Sequence, residues 1–163
     1  MRLFLFTFCL LLLNVACSSD DEGPDLTPRE EFNLRANSEL VIPSDDAEFF
    51  VVTIGDGDKL VFQYRFIQPS DPQLPDSGYS ESIVFEIDPT LTEFSFSNDQ
   101  LATINAYFRS VCFCDNTESI AITVGTISGE RVNAESWAIN IDVEVILGSN
   151  TLSQNIDGIF NQI

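Results

Sequence analysis

The chain contains no histidine. That removes every Ser-His-Asp and Cys-His nucleophilic mechanism, together with the His-bearing zinc sites that make up most catalytic zinc. Positive charge is also scarce. Seven Lys and Arg stand against 26 Asp and Glu in 163 residues, a formal charge of −19. Such a surface repels nucleic-acid phosphates and anionic lipid heads, so nucleic acid is excluded as a partner. The acids are scattered along the chain, which fits solubility and mutual repulsion better than a dedicated cation site. No G-x-G-x-x-G, P-loop or G-x-S-x-G occurs, and no cofactor is expected. Paired-carboxylate chemistry survives these exclusions, yet no single pair stands out from so many acids.

The amino terminus carries the most specific signal. Arg2 supplies a positive start, and Leu3 to Leu13 is an uncharged apolar run. At about 1.5 Å per residue it reaches only about half of a bilayer core, the length of a signal-peptide apolar region. Val15-Ala16-Cys17 follows, then Ser18-Ser19-Asp20-Asp21-Glu22. This arrangement resembles the lipobox of bacterial lipoprotein precursors, although Asn14 stands where an aliphatic residue is usual. The resemblance implies cleavage before Cys17 and acylation of its thiol, with diacylglycerol and a further fatty acid such as palmitate. The acidic run resembles the tether of Bacteroidota-type surface lipoproteins, which implies a lipid-anchored protein at the outer membrane and cell surface. Two acyl chains suffice for stable anchoring. With Arg2 removed, six of the seven bases remain against 26 acids.

Three parts are expected: a signal peptide over 1–16, lipidated Cys17 with a flexible acidic tether over 17–37, and one β-rich domain over 38–163. The tether is rich in Ser, Asp, Glu and Pro; Phe32 and Leu34 within it can dock as an edge strand. The domain is 44% hydrophobic overall and holds most of 14 phenylalanines, enough for one packed core. Period-two alternation predicts strands over 47–54, 59–67, 82–87, 92–97, 119–127 and 136–147. Gly55-Asp56-Gly57-Asp58 reads as the turn of a hairpin joining the first two, and Ser128-Gly129-Glu130 as a further turn. Leu101, Ile104, Phe108 and Val111 fall at helical spacing behind Ser97 and Asn98, predicting one short helix. The tail after Leu147 reads as a final strand, although Asp157-Gly158 has a turn-like composition. The fold class is mainly β: an antiparallel β-sandwich or a partly closed β-barrel with one short helix.

Four stretches hold candidate sites. Cys112 and Cys114 are the only thiols besides Cys9 and Cys17. In an oxidising compartment they are expected to pair. Residues two apart on a strand lie near the upper distance limit for a disulfide, so a bond needs a local turn or bulge. Two buried free thiols, or a redox or metal role, stay open. Asp56 and Asp58 offer weak calcium ligands, with Asp45-Asp46 as possible neighbours, but the EF-hand pattern is incomplete. Gln68 to Ser80 is the longest irregular stretch, and Asp71, Asp76 and Tyr79 on it can touch a sugar or a basic partner. Trp137 sits on the apolar face of its strand and is a core residue. The expected function is therefore non-enzymatic: a surface lipoprotein whose β-domain binds an envelope protein or a glycan. The alternatives are a carboxylate-based glycoside hydrolase and a lipophile-binding barrel.

Overall fold

The computed structural model describes residues 25–44, 47–112 and 118–163. Nine strands follow one another: β1 (Arg29–Val41), β2 (Thr53–Gln68), β3 (Tyr79–Ile87), β4 (Glu93–Ser97), β5 (Tyr107–Cys112), β6 (Ile120–Ala121), β7 (Val124–Arg131), β8 (Ser136–Leu147) and β9 (Asn150–Gln162). They form one sheet in the order β4-β7-β8-β9-β1-β2-β3-β5-β6. Every pairing is antiparallel except β1 with β9, which runs parallel through Asn33–Asn161 and Leu34–Gln162.

At that narrow seam the sheet folds back on itself. Phe62 of β2 stacks on Phe85 of β3 at 5.0 Å and meets Trp137 of β8 edge-on at 5.7 Å. Phe160 of β9 and Phe94 of β4 complete its surroundings at 5.7 and 6.3 Å. Strands far apart in the sheet order thus touch through their side chains. The result is sandwich-like: β4, β7, β8 and β9 form one half, and β1, β2, β3 and β5 with the short β6 form the other. The edge strands β4 and β6 are not paired with each other, so no barrel closes. Each aromatic pair adds about 0.5–1.5 kcal/mol beyond its buried area, which makes this stack the centre of the core.

Strand β8 follows its sequence alternation closely. Trp137, Ile139, Ile141, Val143 and Val145 are buried, while Asp142, Glu144 and Ile146 are exposed. Trp137 is 1% exposed, a core residue as its position on the strand predicts. Arg131 lies over its ring, 5.1 Å from the centroid. Strand β9 runs straight through Asp157-Gly158 as the expected final strand.

Several local expectations are corrected. Strand β1 begins at Arg29, so residues 29–37 belong to the folded domain, and β1 lies in the middle of the sheet with a partner on each side. Phe32, Leu34 and Ala36 point to the core from a strand whose other face is charged. Gly55 to Asp58 is no turn. Strand β2 continues through it, and Ser38 sits opposite both Asp56 and Lys59, a β-bulge. Gly57 is there for contact: a Cβ on it would stand 2.5 Å from the Cβ of Glu39. The chain instead reverses between β1 and β2 through residues 42–52, so residues 47–52 are not strand. The 119–127 run splits at Ile122 and Thr123, where the chain passes from β6 to β7 in the opposite half. Ser128 to Glu130 lies inside β7, and the bend falls at 133–135.

The expected helix is a 3-10 helix over Asn98–Ile104, and Phe108 and Val111 belong to β5 instead. Gln100 Oε1 accepts the Ser97 N–H at 3.1 Å at its start, and Asn105 in the left-handed region ends it. Buried Leu101 and Ile104 cap the core beside β7. A second, three-residue 3-10 turn occupies Pro75–Ser77. No described helix is long and apolar enough to cross a membrane.

Candidate binding surfaces

Alternation leaves each half of the sandwich with a wet outer face, and the two differ in charge. On the β4-β7-β8-β9 half, cross-strand partners form rows. Glu93, Glu130, Ala138 and Ile159 make one, and Ser95, Ser128, Asn140 and Asp157 the next. These rows line an open groove of about 850 Å³. Asp142 and Glu144 continue the same face, and no Lys or Arg stands among its described outward positions. Glu93 and Glu130 are direct partners of like charge, an unfavourable pairing that exposure to water makes tolerable. Asn140 Nδ2 donates to Asp157 at 2.7 Å.

The other outer face is partly roofed. The segment between β1 and β2 lies across it, held by residues near β6. The Ser119 N–H donates to the Phe50 carbonyl at 2.7 Å, and the Val52 N–H to Ser119 Oγ at 3.0 Å. The Phe50 ring packs against Tyr107 at 5.8 Å. Leu40 covers Val61, which is buried on this outer side, and its N–H donates to Glu86 Oε2 at 2.7 Å. Under the roof remains a cleft of about 320 Å³. Arg35, Gln63, Ser82 and Arg109 line it from four strands, with Thr53 and Ser119 at the covering side.

The 68–80 connection forms a third, open concavity of about 410 Å³. Asp76 and Tyr79 line it as the sequence suggests, joined by Arg65 and Cys112. Asp71 does not line it. Its carboxylate accepts the Gln73 N–H at 2.8 Å and shapes the turn. Tyr79 donates its hydroxyl to Glu81, whose other oxygen accepts from Gln154 Nε2 of the opposite half at 2.8 Å. Burial and this carboxylate push the Tyr79 hydroxyl well above the ordinary phenol range. Tyr64, buried and donating to Glu30 at 2.8 Å, is pushed up for the same two reasons.

The remaining sequence candidates fare differently. Asp56 lies at the β2 bulge, and exposed Asp58 approaches Lys59 at 3.6 Å, a pairing worth little. Among the described residues no group of three His, Cys, Asp or Glu side chains could hold a metal ion. Cys112 is disulfide-bonded, which removes the free-thiol reading for that residue. Its expected partner Cys114 lies outside the described residues, as do Cys17 and Asp45-Asp46.

No family model, curated protein or solved structure matches the chain. Any assignment therefore stands on its own residues. Sequence reading missed the Arg35–Arg109 cleft. Its arginines lie 74 positions apart in sequence, and only the rarity of bases in an acidic chain singled them out.

Proposed function

We propose that this is a lipid-anchored protein of the outer cell surface whose β-sandwich domain binds its partner without catalysis. One observation carries the reading. Val15-Ala16-Cys17 is followed at once by an acidic run, and the folded strands begin only at Arg29. Cys17 to Pro28 then forms the tether, about 40 Å long at full extension. That length lets an acidic body stand clear of acidic lipid heads. The concavities on the outer faces suit binding of an envelope component such as a glycan or another protein. The ring stack occupies the interior that a lipophile would need. The Glu93–Glu130 groove offers little to a glycosidase, because both acids are exposed and a general acid relies on burial to hold its proton.

The test is metabolic fatty-acid labelling of cells making the wild-type protein or Cys17→Ala. The wild type is expected to carry label and partition with the outer membrane. The variant is expected to stay an unlabelled precursor or to be released. Equal labelling of both would defeat the proposal.

A further inference from the structure

We propose that the roofed cleft is a binding site for a small oxyanion-bearing solute, held between Arg35 and Arg109. The inference extends the reading of the domain as a binding module by naming the chemistry of one site.

Charge statistics make the cleft unusual. Acids outnumber bases 26 to seven in the chain, yet two arginines line this cleft and no Asp or Glu does. In a body of this sign, a concavity lined by bases alone runs against composition. Topology explains how they meet. Arg35 on β1 and Arg109 on β5 flank the outer face, with β2 and β3 between them. Three strand spacings separate their backbones, about 14 Å. Arg35 is level with Val61, whereas Arg109 is level with Ser82 and, through it, Arg65. The two long side chains therefore approach the intervening floor from opposite corners, where Gln63 and Ser82 lie.

The donor inventory points to the ligand class. A guanidinium offers five N–H donors and accepts nothing. The Ser119 hydroxyl already accepts from the Val52 N–H. Arg109 makes other contacts within the protein as well, and a five-donor group can serve both. What the cleft lacks is acceptors, and a carboxylate, sulfate or phosphate supplies them in the bidentate geometry that arginine favours. The Gln63 amide and the hydroxyls of Thr53 and Ser82 suit further polar groups on the same solute. A volume of about 320 Å³ admits a molecule the size of a single sugar acid. The roof thins the water above the arginines, so the attraction is screened less than on an open face.

Isothermal titration of the full lipidated chain in neutral detergent tests the site, using glucuronate, inorganic sulfate, inorganic phosphate and uncharged glucose as probes. The expected result is saturable binding of at least one anion and none of glucose. Binding of glucuronate marks an organic acid as the solute. Binding confined to sulfate or phosphate marks an inorganic oxyanion. Arg35→Gln and Arg109→Gln should each weaken the bound anion about 10- to 100-fold, while Arg131→Gln, whose guanidinium lies over Trp137, should leave it unchanged. Arg35 is exposed, so its variant is expected to fold even if the Arg109 variant does not, and Arg35→Gln alone then decides. No saturable binding by any anion overturns the proposal, as does equal binding by wild type and Arg35→Gln. Neither result touches the anchor, which fatty-acid labelling reads separately.

Discussion

Single residues set tight limits at two places in the core. Gly158 faces the Phe32 ring so closely that a Cβ would stand 2.3 Å from Cε1. Phe32 in turn meets Phe160 edge-on at 5.4 Å, so the ring has little room to retreat. Gly158→Ala is expected to cost about 1–3 kcal/mol in denaturant unfolding. Adding Phe32→Leu should recover part of that loss, giving a double variant more stable than the two single changes sum to. Tyr64 sets a limit of another kind. Its folded hydroxyl holds its proton above the ordinary phenol value, so the folded state binds that proton more tightly than the unfolded chain. The associated stability is complete below about pH 10 and is lost as pH rises beyond it. Thermal melts from pH 8 to 11 should show a falling midpoint, with a shallower fall in Tyr64→Phe. Identical slopes would contradict this account of the pair with Glu30.

At the scale of elements, strand β1 matters most. It joins the halves of the sandwich, pairing with β2 along its whole length and with β9 at the seam. A chain truncated to begin at Ser38, where the charged leader was expected to end, should lose the cooperative unfolding transition seen by circular dichroism. One beginning at Asp25 should keep it. The sequence obscured this strand because its outward face carries Glu31, Asn33 and Arg35, which lower its mean hydropathy. A half-buried strand needs only one apolar face, and Phe32, Leu34 and Ala36 supply it. The Gly55 to Asp58 stretch misled in the opposite sense. Glycine and aspartate mark reversals, but they also mark bulges where a neighbouring backbone comes close. The difference depends on Ser38 and Glu39 across the sheet, which local composition does not reveal. Strands β8 and β9 were legible because their alternation is long and their buried face is purely apolar near Trp137.

For the molecule as a whole, the mainly β character and the sandwich-like layering followed from counting alternating segments, while the strand order did not. Order depends on which faces meet, and contacts such as Phe62 with Phe94 join residues more than thirty positions apart. The candidate sites follow the same division. Asp76 and Tyr79 come from one continuous loop and could be named in advance. Arg35 and Arg109 share a cleft only after four strands have been aligned. The same alignment gives the domain one outer face bearing acids without bases and another bearing Arg35, Arg65 and Arg109.

The central place of β1 also has a mechanical side. Tension on the residues ahead of Arg29 enters the fold along its middle strand. It slides β1 against β2 lengthwise, so the hydrogen bonds from Arg29–Ile67 onward resist together and do not open one by one as in a peeled zipper. A body tugged by flow or by a moving partner would thus be gripped where it is hardest to unravel.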